Sequence, residues 1–178
     1  MVGIDNTRPF LPVRIAVMTV SNSRTLEDDR SGAVLIGLLE ADGHVLADRA
    51  IVKDQVPAIV AQLQVWIADP QVDVVLTTGG TGLTGHDVTP EAFDAVCEKQ
   101  IPGFGELFRY QSLAKIGTST IQSRATAGVA GGTYLFALPG SPGACRDGWE
   151  GILHAQLDSR LRPCNFVEMM PRLQEHLA

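Results

Sequence analysis

A short apolar run that opens into a glycine- and threonine-rich loop constrains the fold of this chain more than any other segment. Residues 72–76 read Val-Asp-Val-Val-Leu, and Gly79, Gly80, Gly82 and Gly85 follow soon after. Short runs rich in β-branched residues are typical of strands that are covered on both faces of a parallel sheet. A glycine-rich loop after such a strand lets backbone N–H groups approach an anion such as phosphate. The segment therefore predicts a buried strand followed by a phosphate-binding loop.

Strand and helix patterns alternate along the chain. Strands are predicted over residues 15–20, 45–52 and 133–138, and the second lies nearer to an edge because its composition is more mixed. Amphipathic helical patterns lie between them, one with an N-cap at Ser31 and another with an N-cap at Thr89 ahead of a proline. This alternation predicts an α/β fold with a doubly wound, mostly parallel sheet and helices on both of its faces.

Polar loops follow the predicted strands and supply the first candidates for a binding site. Ligands bind beyond the carboxyl ends of the strands in doubly wound sheets, so these loops should meet at one edge. Hydroxyl groups of Thr77, Thr78, Thr81 and Thr84 would add hydrogen-bond donors to the glycine loop. The candidate binding residues from these loops are Ser21, Gly79, Gly80, Thr81, Gly82, Pro139, Gly140 and Ser141.

Two aspartates extend this prediction to a metal site. Asp87 lies two residues before the predicted N-cap at Thr89, and Asp54 follows the second strand. Two carboxylates beside a phosphate-binding loop suit Mg²⁺, which takes one or two carboxylates together with phosphate oxygens and water. Either carboxylate could instead accept a proton from an attacking group. Helix capping or an Asx-turn is the plain structural interpretation of both.

Basic residues near the predicted site are few. Most such residues are solvated surface, but some could bind anionic groups by charge-assisted hydrogen bonds. Arg124 is favoured because serines and threonines crowd around it in the sequence. The basic candidates are Arg24, Lys53, Arg109, Lys115 and Arg124.

Composition and charge argue against several classes of function. The 178 residues carry a net charge of −6 and have a pI near 5.1, which gives no general attraction to nucleic acid or to an anionic membrane. The sequence has no signal-peptide pattern and no run of about 18 apolar residues. Its three cysteines form no Cys-x-x-Cys pair, which argues against a zinc or iron–sulfur site. We therefore expect a cytoplasmic protein that binds neither nucleic acid nor membrane.

Residues 80–85 also match the G-x-G-x-x-G pattern of dinucleotide-binding folds. In that pattern the glycines open the helix directly, whereas here the helix start falls at Thr89-Pro90, and no strand ends in an acid about 20 residues later. The loop also has no Gly-Lys-Ser/Thr sequence of the P-loop type. The pattern therefore argues against a dinucleotide-dependent oxidoreductase, and saturable NADH binding would be the observation in favour of one.

Several short motifs occur in a fixed order along the chain: Thr-Thr-Gly-Gly-Thr-Gly at 77–82, Asp-Val-Thr-Pro-Glu at 87–91, Pro-Gly-Phe-Gly-Glu at 102–106, Ser-Arg at 123–124 and Leu-Pro-Gly-Ser at 138–141. Together they resemble one known family, the molybdenum cofactor biosynthesis proteins that include MoaB and the molybdopterin adenylyltransferase MogA. The stretch Gly-Thr-Ser-Thr at 117–120 and the closing Arg-Pro-Cys-Asn-Phe at 162–166 look most like the MoaB branch.

The resemblance implies a fold and an assembly. It implies a three-layer αβα single domain over residues 14–162, with an N-terminal extension at 1–13 and a C-terminal tail at 163–178. It also implies a homotrimer or hexamer that binds molybdopterin. The outer segments carry apolar residues that could pack on a neighbouring subunit or wrap their own domain.

The resemblance also implies a reaction. In the adenylyltransferase branch, the terminal phosphate of molybdopterin attacks the α-phosphorus of ATP in the presence of Mg²⁺ and gives adenylyl-molybdopterin and pyrophosphate. Two family aspartates important to that chemistry fall on Asp54 and Asp87, which are the expected catalytic and Mg²⁺-binding residues. Ser123 and Arg124 join the candidate binding residues on the same basis.

The chain departs from the adenylyltransferase pattern at one position. His86 stands where arginine is frequent, and a neutral imidazole supplies less charge against a triphosphate than a guanidinium does. The alternative function is therefore a non-catalytic protein of the same pathway that binds or carries molybdopterin.

Overall fold

The computed structural model describes residues 3–177, which fold around a six-stranded sheet. The strands are β1 (Gly3–Ile4), β2 (Arg14–Val20), β3 (Val45–Val52), β4 (Val74–Thr78), β5 (Lys99–Gln100), β6 (Thr126–Ala130), β7 (Thr133–Leu138) and β8 (Leu161–Arg162). The α-helices are α1 (Arg30–Ala41), α2 (Val56–Ile67), α3 (Thr89–Val96), α4 (Pro102–Ile116), α5 (Pro142–Gly148), α6 (His154–Gln156) and α7 (Phe166–Met169).

Shorter helical segments of two kinds, 3₁₀ and π, lie between or after these elements. A 3₁₀ segment, Gly117–Gln122, follows α4 directly. A π-helical turn, Trp149–Leu153, connects α5 to α6. Two further 3₁₀ turns, Met170–Arg172 and Glu175–Leu177, lie near the C-terminal end of the described residues.

The strand order in the main sheet is β3-β2-β4-β7-β6-β5. The first four strands are parallel, and Leu76 in β4 lies opposite Val17 on one side and Phe136 on the other. The last two strands, β6 and β5, are antiparallel to their neighbours. β3 forms one edge, as its mixed composition predicts. The predicted α/β fold with a mostly parallel sheet is confirmed.

Helices cover both faces of the sheet and so form two hydrophobic cores. In β2, Ile15 and Val17 join a core with residues of α1, α4 and α5. Ala16 and Met18 point the other way, into a core with residues of α2 and α3. Because both faces of the strand are buried, its sequence reads as a continuous apolar run and does not alternate with polar residues.

The start of α1 differs from the sequence prediction. The predicted N-cap at Ser31 is wrong, because the helix begins at Arg30 and the Asp29 carboxylate accepts the cap hydrogen bond from the Gly32 amide at 2.9 Å. The second Asp29 oxygen accepts from the Thr19 hydroxyl at 2.7 Å and from the Arg49 guanidinium at 3.0 Å. One buried carboxylate therefore joins α1 to β2 and β3.

Two other boundaries also differ. The strand predicted at residues 72–76 runs over Val74–Thr78, so it reaches further into the glycine loop. Thr89 is the first residue of α3 and not its N-cap, because the preceding Val88 takes the cap position without a side-chain hydrogen bond. The Thr89 hydroxyl instead donates to the Gly79 carbonyl at 2.8 Å.

The segments at both ends pack on this chain's own domain. β1 pairs with β8, and the Ser159 hydroxyl accepts from the Leu11 amide while it donates to the Pro9 carbonyl. The Phe166 ring lies 4.8 Å from the Tyr134 ring, measured between centroids. These contacts favour wrapping of the domain over packing on a neighbour, although the Leu11 side chain remains half exposed. The domain limits at residues 14 and 162 stay a prediction.

Within residues 3–177, none of the helices is both long and apolar enough to cross a lipid bilayer.

We expect Asp29→Ala to lower the free energy of unfolding by about 2–4 kcal/mol, because it removes a helix cap and leaves the Arg49 guanidinium without its carboxylate partner. Urea unfolding followed by circular dichroism measures this loss. Asp28→Ala is the matched control. The Asp28 carboxylate is about half exposed to solvent, so this variant should unfold near the wild-type midpoint. Equal destabilisation of the two variants would contradict the role given to Asp29.

Candidate functional site

The loops that follow β4 and β7 meet at the carboxyl edge of the sheet and form a cleft of about 660 Å³. A ligand is expected at this edge from the positions of the polar loops in the sequence. Most of the predicted site residues lie in its wall. They are Gly79, Gly80, Thr81, Gly82, Asp87, Ser123, Pro139, Gly140 and Ser141.

The glycine loop has a conformation that only glycine adopts without strain. Gly79 and Gly80 have φ angles of +100° and +66°. A Cβ atom on Gly79 would lie 2.4 Å from the Val20 carbonyl oxygen, and one on Gly80 would lie 2.5 Å from the Thr89 hydroxyl. The Gly79 amide donates to the Leu138 carbonyl at 3.0 Å. The loop is therefore fixed against β2, β7 and α3 before any ligand binds.

The threonines of this segment divide into two groups. Thr77 and Thr78 lie within β4 and are fully buried, so the prediction that their hydroxyls add donors to the loop is wrong. The Thr78 hydroxyl donates to the Pro139 carbonyl at 3.0 Å and so joins β4 to the loop after β7. Thr81 is buried in the cleft wall, whereas Thr84 binds Asp87.

Asp87 lies in the cleft wall at the end of the glycine loop. Its Oδ2 atom accepts from the Thr84 amide at 2.8 Å and from the Thr84 hydroxyl at 2.7 Å. Partial burial would raise the pKa of the Asp87 carboxyl, but the hydrogen bonds from Thr84 and the nearby Arg124 charge lower it below its ordinary value. A Cβ atom on Gly82 would lie 2.7 Å from this carboxylate. The cleft therefore holds an ionised carboxylate against the glycine loop.

Arg124 stabilises the glycine loop by hydrogen bonds and does not contribute to the cleft wall. Its guanidinium donates to the Gly82 carbonyl at 2.7 Å and to the Asp87 carbonyl at 2.6 Å, and it also forms an ion pair with Glu91. Its backbone amide donates to the Thr81 carbonyl at 2.8 Å. The residue predicted to bind substrate thus holds both ends of the Gly82–Asp87 segment in place.

Asp54 and Ser21 also lie outside the cleft wall, as do the basic candidates Arg24, Lys53 and Arg109. The Asp54 amide donates to the Asn22 side chain at 3.3 Å, beyond the carboxyl end of β3. The Ser21 hydroxyl accepts from the amides of Ser23 and Arg24 and so shapes the loop after β2. In the described part of the chain, no three His, Cys, Asp or Glu side chains gather in a metal-binding cluster.

The opposite wall of the cleft comes from α4 and the 3₁₀ segment after it. Neither segment was predicted from the sequence. Phe108, Ser112 and Ile116 lie on α4 at a spacing of four residues, and Thr120 follows on the 3₁₀ segment. Pro102 at the start of α4 and this spacing are the signals that identify the helix. Phe108 and Ile116 make part of this wall apolar.

One ion pair also contributes to the cleft wall. The Lys115 ammonium on α4 lies 2.5 Å from the Asp147 carboxylate on α5. Lys115 was one of the predicted anion-binding residues, whereas Asp147 was not predicted. With Asp87, the cleft wall carries two carboxylates and one ammonium group.

Comparisons with known proteins fit this geometry. Residues 16–159 match the family described as a probable molybdopterin binding domain. The chain belongs to this molybdopterin-binding family. It is 55% identical to molybdenum cofactor biosynthesis protein B of Escherichia coli K12 over 157 residues, which cover 88% of this chain and 92% of that protein. Molybdenum cofactor biosynthesis protein B of Bacillus subtilis is 47% identical to this chain over 135 residues, and this match covers 75% of this chain and 79% of that protein.

A solved structure extends the likeness to three dimensions. A crystal structure of molybdenum cofactor biosynthesis protein B superposes with a TM-score of 0.85 at 37% identity, and the match covers 94% of this chain and 99% of that one. The resemblance inferred from the sequence motifs, to the MoaB branch of the molybdopterin-binding family, is thereby confirmed. The residues matched to the family include the glycine loop, both candidate aspartates and the loop after β7.

We expect Gly79→Ala to destabilise the protein by about 2–4 kcal/mol, because the new methyl group meets the Val20 carbonyl at a φ that alanine rarely adopts. Thermal unfolding measures the change. Gly85→Ala is the matched control within the same loop, since a Cβ atom there has no heavy atom within 4 Å. If both variants are as stable as the wild type, the loop is not the fixed element described above.

Proposed function

We propose that this chain is a molybdopterin adenylyltransferase that uses Mg²⁺ and ATP to give adenylyl-molybdopterin and pyrophosphate. The observation that supports this most is the ionised Asp87 carboxylate, held beside the glycine loop in the wall of a cleft of about 660 Å³. A cleft of this volume has room for a ligand of molybdopterin's size. Membership of the molybdopterin-binding family supports molybdopterin as the ligand.

The reaction transfers an adenylyl group between two phosphates. A phosphate oxygen of molybdopterin forms a bond to the α-phosphorus of ATP, and the bond from that phosphorus to the bridging oxygen breaks as pyrophosphate leaves. Such transfers depend on positioning and on charge stabilisation. Because the Gly79 amide donates to Leu138 and the Gly82 amide to Asp87, the backbone N–H groups of Gly80 and Thr81 are the ones proposed to bind the phosphate. The apolar wall of α4 is proposed to orient the pterin.

The buried Cys145 thiol is unsuited to act as a covalent nucleophile in this transfer. Cys145 lies behind the cleft, where its sulfur contacts the Thr78 hydroxyl at 3.1 Å. Burial raises the pKa of the Cys145 thiol to about 11, so the thiolate needed for attack is scarce at neutral pH.

The donor set fits a magnesium ion bound together with its substrate. Mg²⁺ commonly takes one or two carboxylates and completes its shell with phosphate oxygens and water. Asp87 is the carboxylate that would hold it in the cleft, and Asp54 is the proposed second acid. When bound, the ion would neutralise phosphate charge during the transfer.

The placement of Asp54 favours a second candidate function, a protein that binds or carries molybdopterin without adenylylating it. Asp54 does not contribute to the wall of the cleft that contains Asp87, and the Lys115 ammonium is already paired with Asp147. Calorimetry distinguishes the two candidates. A carrier would bind molybdopterin but release no heat with Mg-ATP.

A homotrimer or hexamer is also part of the proposal. Tyr110 on α4 and Ile121 on the following 3₁₀ segment are each 76% exposed, which is unusual for side chains of this size. We expect sedimentation velocity to give a species of three or six chains, because such an assembly would cover these side chains. Tyr110→Glu should shift the species toward the monomer, and a wild-type monomer at micromolar concentration would contradict the assembly.

We expect Asp87→Asn to reduce turnover by roughly 100-fold or more while the fold stays intact, because the amide is nearly isosteric but carries no charge. Pyrophosphate release and product chromatography with molybdopterin, Mg²⁺ and ATP measure the rate. Asp94→Asn on the exposed face of α3 is the matched control and should keep the wild-type rate. Wild-type turnover in the Asp87 variant would remove the proposed role of this carboxylate.

A further inference from the structure

Residues 3–13, which we call the N-terminal strap, end where β2 begins, at the edge of the sheet opposite to the cleft. β1 at the start of the strap pairs with β8. Further along, the Ser159 hydroxyl bonds to the Pro9 carbonyl and the Leu11 amide. The last residue of the strap, Val13, is buried and donates its amide to the side chain of His44. The strap is therefore joined to the domain at both of its ends.

His44 lies between α1 and β3 and is only 5% exposed. Its Nδ1 atom accepts from the Val13 amide at 3.2 Å, so the proton of the neutral ring lies on Nε2. Measured between centroids, the imidazole ring lies 5.2 Å from the Phe10 ring and 5.8 Å from the Trp149 ring. The Val45 amide also donates to the Val13 carbonyl at 3.0 Å. Only the neutral imidazole can accept the Val13 hydrogen bond at Nδ1.

Charged and titratable side chains face His44 from the elements around it. They are Asp42 at the end of α1, His154 on α6, and Asp158 and Arg160 after α6. The Asp42 carboxylate already bonds to the Trp149 indole and the His154 ring, both at 2.7 Å. The Asp158 carboxylate is paired with the Arg160 guanidinium at 2.8 Å. Both carboxylates near His44 are therefore engaged with other groups.

The surroundings of His44 favour its neutral form. Burial lowers the pKa of the imidazole below its ordinary value of 6.5, and this effect exceeds the opposite effect of the Asp42 and Asp158 charges. The charge of His154 acts in the same direction as burial. A histidine whose pKa is lower in the folded state contributes stability that is complete above pH 6.5. This contribution is lost as the pH falls through the lowered pKa.

We propose that His44 is an acid-sensitive latch that releases the N-terminal strap when it is protonated. Protonation places a hydrogen on Nδ1, so two donors then face each other and the buried Val13 amide loses its partner. The strap separates from its Val13 end back toward Leu11, and the apolar side chains of Phe10 and Val13 become exposed. This inference does not depend on the proposed adenylylation.

Hydrogen exchange of the full chain, corrected for the intrinsic effect of pH on exchange, measures the release. Between about pH 7.5 and about pH 4.5, protection of the Leu11 and Val13 amides should fall while amides of β4 stay protected. The expected loss is roughly tenfold for each pH unit that separates the His44 midpoint, measured by nuclear magnetic resonance of its ring, from 6.5.

Two variants at His44 separate the titration from the packing. In His44→Asn, an amide oxygen can take the place of Nδ1 but does not titrate, so protection of the strap should no longer depend on pH. His44→Phe retains a ring but has no acceptor, so the strap should be less protected at every pH. His86→Asn is the matched control, because it makes the same change at an exposed histidine, and it should behave as the wild type.

Each other outcome overturns the latch. Strap protection that stays constant while the His44 ring titrates would show that protonation releases nothing. Loss of β4 protection at the same pH would show unfolding of the whole domain. A pH dependence that persists in His44→Asn and disappears in His154→Gln would assign the effect to the Asp42–His154 pair. If the His44 variants do not fold, the comparison of ring titration with strap protection in the wild type still decides.

Discussion

The close approach of the Gly79 backbone to the Val20 carbonyl is the contact on which the arrangement of the site depends. β2, β4 and β7 are neighbouring parallel strands, so the loops that follow them lie side by side at the carboxyl edge of the sheet. Gly79 has no side chain between it and Val20, and a Cβ atom on Gly140 would lie only 3.1 Å from the Gly79 Cα atom. Two glycines therefore let three loops pack backbone against backbone, and the cleft forms beside them.

Hydrogen bonds then hold the charged group of the site at that edge. The Arg124 guanidinium binds the carbonyls of Gly82 and Asp87, so its charge stabilises the loop and also favours the ionised form of the Asp87 carboxyl. Glu91 in the first turn of α3 pairs with the same guanidinium. A ligand that enters the cleft therefore meets a carboxylate already held by Thr84. Little side-chain conformational entropy is then lost at Asp87 when the ligand binds.

Much of the fold could be predicted from the sequence because its signals are local. Such signals are the β-branched run of β2, the aromatic and aliphatic run of β7 and the proline at the start of α3. The antiparallel strand β6 was not predicted, since Thr126–Ala130 is made largely of small residues. Helix α4 was not predicted either, because glycines near its start disfavour a helix. Gly105 is needed there only because the Ala125 carbonyl packs against it, which is a tertiary contact.

The candidate site shows the same difference between features set by local sequence and features set by tertiary contacts. Glycines and Asp87 could be placed in the cleft from sequence, because a strand and the loop after it are contiguous in the chain. The supporting role of Arg124 could not, since its partners at Gly82 and Asp87 come from a distant segment. Asp54 and Asp87 share an edge of the sheet, as predicted, but the order of the strands puts β2 between the loops that carry them.

The separation of these two loops bears on His86, which stands where arginine is frequent in the adenylyltransferase branch. His86 is exposed and does not contribute to the cleft wall, so an arginine at that position would act through solvent, where charge interactions are screened within about 10 Å. Arg24 and Lys53 lie at the same edge of the sheet, on the loops after β2 and β3, and supply positive charge there. The proposed reaction therefore does not need a cation at residue 86, and a histidine at that position is compatible with nucleotide binding.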